Sequence, residues 1–392
     1  MAEAWPRTAP RPTATTPEFL ATFGLILAAI LAFGAFDVWL AHVDERESRQ
    51  HAAHQYEDGR AQLAAGHPRA ASDLFASAMA SERTNVQYGT ALGEALLAAG
   101  EYPEAESVLR TQLARAESDG QANLVLARVL EREGRADDAA SYYHRAIYGR
   151  WEEGAPARRL EARMALVDLL ARSGARQELL AELLPLADST IGTRALRRRV
   201  AHLFVVAGAP DRAIAMFREM LRADAKDGDA YAGLGEAALE VGNFETARAD
   251  LLESARLLGD TARTAVSLAV ADSALALDPT LRRLDPPERR ARAARVLALV
   301  LDAAARCTPA APSAATDSAR AMLAPVAPDS SLRAGTGRGD RTASRLATAR
   351  EEAESMIALA SAIWDSRGGR CTTSPSAVGE RALALVMAKL AD

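Results

Sequence analysis

The chain has 392 residues, a formal net charge of -5 and a composition that is 49% hydrophobic but only 5% aromatic. This acidic balance argues against nucleic acid as a partner, because nucleic-acid binding needs a basic stripe. The length suits one elongated array with a smaller terminal unit. Of the 47 basic residues only Lys226 and Lys389 are lysine, a bias that fits a GC-rich bacterial genome.

Residues 1–18 form an N-terminal tail. From Phe19 to Phe36 the chain then runs eighteen residues without a charge, a reach of about 27 Å as a helix. Val38, Trp39 and Leu40 extend the run to roughly the ~30 Å core of a bilayer. The spacing predicts a single transmembrane helix over 19–41, with Trp39 as its interfacial aromatic. A cleaved signal peptide is the competing reading. The run exceeds the usual ~7 to 15 apolar residues, Arg7 and Arg11 are offset by Glu3 and Glu18, and Ala32-Phe33-Gly34 makes a poor cleavage site. Charge balance across the helix puts the tail inside and the rest of the chain outside. Ala21, Gly24, Ala28, Ala32 and Ala35 share a helix face, the kind of stripe through which membrane helices pack; alanine is frequent enough here that chance alignment is the alternative.

Beyond the apolar run, glycines recur at a fixed interval: Gly66, Gly100 and Gly134 in steps of 34, Gly174 after a step of 40, then Gly208 and Gly242. A small residue sits seven before most of them (Gly59, Gly93, Ala127, Ala201, Gly235) and another five after (Ala71, Ala105, Ala139, Ala213, Ala247). Nine after comes a larger apolar residue: Phe75, Leu109, Tyr143, Leu183, Phe217 or Leu251. The pattern predicts helical hairpins over 52–85, 86–119, 120–153, 160–193, 194–227 and 228–261. In each, glycine ends the first helix in the left-handed region, small residues admit close helix approach, and large ones fill the gap to the next hairpin. The fourth window has Val167 and Leu179 where small residues are expected, which predicts wider helix separation. The six extra residues before it belong to the turn-rich, charged segment 149–159.

These positions resemble the tetratricopeptide repeat. The match is closest at Leu92-Gly93 with Gly100, Tyr102 and Ala105, and at Tyr231, Leu234-Gly235, Gly242, Phe244 and Ala247. The family's usual proline near the end of each repeat is absent until Asp278-Pro279. The resemblance implies an all-α fold: one N-terminal transmembrane helix, a helical-hairpin solenoid and a C-terminal helical unit. It also implies a concave, protein-binding face lined by the first helix of each hairpin. One register of that face reads Arg60, Glu94, Arg128, Asp168, His202 and Glu236, alternating in sign. Two readings are open, a ladder that pairs with itself and a set of contacts for a partner. The family's carboxylate clamp of lysines and asparagines cannot be built from two lysines and the three asparagines Asn85, Asn123 and Asn243.

Residues 262–306 read as two capping helices, opened by Thr261 and by Asp285 with Pro286 and Pro287. A linker follows over 307–340. A C-terminal helical pair over 341–392 carries apolar stripes at Leu346, Ala353, Met356, Ile357, Ala360 and Ile363, and at Val378, Ala382, Leu385 and Val386. These stripes need cover, from the end of the array or from another subunit. Cys307 and Cys371 are either a disulfide, as expected outside the cytoplasm, or two thiols.

No phosphate-binding loop, nucleophile elbow or zinc-protease motif is present. His51 and His54 share a face near Glu47 but have no fixed third ligand, so a solvated helix surface is expected there. No enzyme activity, metal, cofactor, small-molecule substrate or nucleic acid is implied. The sequence points to a scaffold on the periplasmic side of a bacterial inner membrane. It would assemble or stabilise an integral membrane complex, as an accessory subunit of a bioenergetic or secretion machine. A periplasmic biogenesis or quality-control factor that binds clients transiently is the alternative, and an enzyme with its site in the C-terminal unit is the third reading.

Overall fold

The computed structural model describes residues 16–152, 154–188, 193–259, 261–307, 314–324, 338–367 and 378–391. Among these the secondary structure is helical, with a lone parallel bridge between Asp119 and Arg150. The chain divides into two compact units, Met1–Leu169 and Leu170–Asp392.

The first unit starts with α1 (Thr16–Ala64), continues through α2 (Pro68–Ser81), α3 (Val86–Ala99), α4 (Tyr102–Leu113), α5 (Gly120–Arg132) and α6 (Ala136–Tyr148), and holds most of α7 (Ala155–Ser173). Each of the first five packs on the next. The apolar run and the first helix of the first hairpin are one uninterrupted helix of 49 residues. Nothing between Leu40 and Ala52 breaks it: the intervening residues hold no glycine or proline, and Arg49–Glu45 is a stabilising i,i+4 pair at 2.5 Å. Helices after turns are started by short polar caps or proline. Asn85 and Asp119 accept backbone N–H bonds from Gln87 and Ala122, while Pro68 and Pro103 stand in the first turns of α2 and α4.

The six glycines of the beat all lie in the left-handed region, with φ between 70° at Gly242 and 81° at Gly66 and Gly100. At Gly100 the turn closes as Gly100 N–H donates to Leu97 O and Glu101 N–H to Leu96 O, at 3.1 and 2.9 Å. This is the Schellman arrangement, which satisfies the last carbonyls of the helix.

The role of the large residue differs from the sequence expectation. It fills space inside its own hairpin, against the small residue of the first helix. A Cβ on Gly59 would stand 2.7 Å from Phe75, one on Gly93 2.6 Å from Leu109, and one on Gly235 2.7 Å from Leu251. Phe217 also reaches the next hairpin, where a Cβ on Gly233 would meet it at 2.2 Å. Val167 and Leu179 are accommodated by burial, both almost fully excluded from solvent.

The second unit contains α8 (Arg176–Asp188), α9 (Arg194–Val206), α10 (Pro210–Ala223), α11 (Gly228–Glu240), α12 (Phe244–Leu258), α13 (Ala262–Leu277), α14 (Pro286–Cys307), α15 (Ala314–Leu323), α16 (Arg338–Ser366) and α17 (Val378–Ala391). From α9 to α13 each helix packs on its successor. The pairing then changes: α14 packs chiefly on α16, and the last helix, α17, packs chiefly on α13. The two C-terminal helices are therefore mainly partners of the capping helices and only secondarily of each other. Their stripes share one core with α11–α14, including Phe244, Val270, Val296, Met356, Ile363 and Val386.

A buried ion pair fastens α17. Asp278, 0% exposed, accepts from Lys389 Nζ at 2.8 Å and from the Thr280 N–H and hydroxyl at 2.8 and 2.7 Å. Cys307 ends α14, and Cys371 lies outside the described residues, so the proposed disulfide falls outside them.

Candidate interaction surfaces

In the first unit, α1 contributes Tyr56, whose ring packs on Phe75 and Tyr88 with centroids 5.6 and 5.2 Å apart. Burial raises the Tyr56 phenol pKa, and the nearby Arg60 opposes that rise. The Arg60 guanidinium stands 6.0 Å from the Tyr56 ring and 3.5 Å from Glu57. Arg128 does not pair along the expected register. Its guanidinium bonds Glu161 at 2.6 Å, seven residues before Asp168, and Arg158 joins at 3.2 Å. Burial alone would raise the Glu161 carboxyl, but Arg128 and Arg158 outweigh it and hold the pKa down.

The 149–159 segment is structured where it leaves α6. Trp151 donates its indole N–H to Ala146 O at 2.9 Å and lies flat on Gly120, where a Cβ would meet the ring at 2.3 Å. Gly120 is therefore needed for close approach.

In the second unit, α9, α11 and α13 line a cleft of about 470 Å³. His202 lines it and stands 3.7 Å from Glu236 of α11. Arg263 of α13 joins them: its Nε and Nη2 donate to the two Glu236 oxygens at 2.8 and 2.5 Å, and Nη2 also donates to His202 Nδ1 at 3.4 Å. The Ser267 hydroxyl donates to Glu236 at 3.3 Å, and Arg198 pairs with Asp229 at 2.5 Å. Val206 and Leu258, 47% and 46% exposed, add apolar lining.

Burial lowers the His202 pKa, followed by the Arg263 guanidinium, against the opposing pull of Glu236. The ring therefore stays neutral near pH 7 and accepts at Nδ1, with Phe217 against it in a T-shaped contact at 5.1 Å. Arg263 was missed in the sequence because α13 carries no glycine of the beat; the bidentate arginine follows Glu236 by 27 residues.

The cleft thus offers self-compensated charge and an apolar lip. Among the described residues no group of three or more His, Cys, Asp and Glu could hold a metal. His51 lies on exposed helix and bonds Gln55 at 3.0 Å, and His54 pairs with Asp58 at 2.9 Å. Of the small-residue stripe on α1, all five members are exposed.

The tetratricopeptide repeat family matches residues 90–157 and again 206–263. No curated protein matches the chain. Similar solved structures include YrrB, a tetratricopeptide repeat protein with an unusual peptide-binding site, at 16% identity over 49% of this chain and 95% of that one, TM-score 0.40. PilW, a type IV pilus biogenesis factor, is 15% identical over 55% of this chain and 98% of its own, TM-score 0.40. PilF of Pseudomonas aeruginosa is 17% identical over 55% and 91%, TM-score 0.33. At these values the likenesses say nothing about partners. With glycine-ended hairpins in both units and a family match within each, the chain carries tetratricopeptide repeats, modules that bind other proteins.

Proposed function

We propose that the protein is a membrane-anchored scaffold whose repeats assemble or stabilise an integral membrane complex, as an accessory subunit on the periplasmic side of a bacterial inner membrane. The observation that carries this reading is α1. Its apolar part is long enough to cross a bilayer and wholly exposed, and it continues as the first helix of the first hairpin. An exposed apolar helix of this length needs lipid or protein around it. The cleft of the second unit suits a peptide segment with apolar and hydrogen-bonding side chains, because its own charges are already paired.

Mild solubilisation of native membranes followed by quantitative mass spectrometry of what co-purifies tests the proposal. A membrane complex at fixed stoichiometry is the expected result. A scatter of substoichiometric clients would overturn it in favour of a transient biogenesis factor.

A further inference from the structure

Continuity of α1 determines which side of the first unit lies next to the bilayer. The apolar run ends at Leu40, and packing of the same helix on its hairpin partner begins at Ser48 and Arg49. Ser48 donates its hydroxyl to Ser81 O at 3.1 Å, and Arg49 stands 3.8 Å from Glu82. From Leu40 to Ser48 a continuous helix advances about 12 Å. Headgroups occupy about 5–8 Å of that distance.

Ser81 ends α2, and from there the turns between hairpins are joined side by side. Arg115 donates to Arg83 O at 2.5 Å. Arg150 N–H donates to Ser118 O at 2.6 Å, and Gly120 N–H donates to Arg150 O at 2.8 Å. Gln87 bonds Glu152. Residues 81–85, 114–119 and 148–152 therefore form one edge of the unit, at the end of the hairpins nearer the apolar helix. The glycine turns at Gly66, Gly100 and Gly134 lie at the opposite end, a helix length of about 20 Å away.

The edge is dressed for an interface with lipid headgroups. Tyr148 is 72% exposed, with Arg83, Arg115 and Arg150 also exposed along it. Tyrosine and arginine each combine an apolar body with a polar tip, the property that suits a membrane–water boundary. Glu82, Glu117, Asp119 and Glu152 outnumber the three arginines by one. Attraction to anionic lipid is therefore not what holds the edge in place; the covalent continuity of α1 is.

We infer that the inter-hairpin edge of the first unit lies against the headgroup layer, with Arg115 and Tyr148 in contact with it. The helices of this unit then stand upright on the membrane and successive hairpins run along its surface. The inference rests on α1 being retained as a membrane anchor.

The test uses the full chain in phosphatidylcholine vesicles, with Cys307→Ser and Cys371→Ser as background. Single cysteines at exposed Arg115→Cys, Tyr148→Cys and His67→Cys and at half-buried Glu101→Cys carry a bimane fluorophore, and a lipid spin-labelled on its headgroup quenches it. Quenching at 115 and 148 is expected to exceed that at 67 and 101 by about threefold or more, given the ~20 Å between the two ends. It should be the same at low and high salt. Equal, weak quenching at all four positions in protein that resists carbonate extraction would overturn the inference and leave the anchor standing. Release of the chain by carbonate would overturn the anchor itself. Quenching that appears only with anionic lipid at low salt would also overturn the inference.

Discussion

Gly93→Ala, made alone and with Leu109→Ala, tests whether the repeat reflects one volume shared by two paired helices. A methyl group on Gly93 would stand 2.6 Å from Leu109 Cδ2, and Leu109 is fully buried. Overpacking of this kind costs about 1–3 kcal/mol, and the better helix propensity of alanine offsets about 1 kcal/mol of it. A net loss of about 1 kcal/mol is expected for the single variant. Leu109→Ala alone should cost about 2–5 kcal/mol through the cavity it leaves. In the double variant the new methyl enters that cavity without a clash. Its loss should therefore fall short of the sum by about 1–3 kcal/mol, as for residues in direct contact. Urea unfolding of the full chain, with hydrogen exchange of peptides from α3 and α4 to localise the effect, measures all three variants. Additivity within about 0.5 kcal/mol would refute the shared-volume account.

Gly100→Ala meets no atom within 4 Å, so its expected loss of about 1 kcal/mol in the same assay is purely a backbone cost of the left-handed conformation. Lys389→Met leaves the buried Asp278 carboxylate without its cation; a loss of about 2–3 kcal/mol is expected, reduced from the fully buried case by the partial exposure of the lysine. Hydrogen exchange should then rise together in α13 and α17. Burial raises the Asp250 pKa to about 6, with Arg218 opposing, so its contribution to stability is present below the unfolded value near 3.8 and is lost as pH rises through about 6. Asp250→Asn should flatten stability over that window and gain about 1–2 kcal/mol at pH 7 after discounting for partial exposure; a variant that keeps the wild-type slope between pH 4 and 6 would refute this. His202 titrates below its ordinary value because it is buried beside Arg263, so its contribution is present above the unfolded value and lost as pH falls through the folded one. NMR of the ring Cε1–H should show the midpoint move upward in Arg263→Gln.

The parts of the fold that were legible in the sequence are those imposed residue by residue. A left-handed helix end selects glycine wherever it occurs, so Gly66 through Gly242 announced the hairpins before any packing was known. The apolar run announced itself for the same reason, because each residue in it lacks charge. The candidate site was legible only in part. His202 and Glu236 were placed on one face by spacing, but Arg263, which holds them together, lies on a helix without the repeat's markers. In the first unit the spacing does not point to Glu161, the partner of Arg128, because it lies seven residues before the register position Asp168.

The sequence alone therefore determined the hairpins, the apolar helix and the absence of a lysine clamp, since each follows from local conformational preference, hydrophobicity or composition. Only the tertiary structure decided that α1 is one rod joining the apolar run to the first hairpin, that Leu109 fills the space left by Gly93, and that α17 returns to cover α13. Those outcomes depend on which alanine-rich stripe fits which, and on one ion pair between residues 111 positions apart. Complementary shape across such a separation is a property of the packed surfaces, and the order of residues along either helix does not contain it.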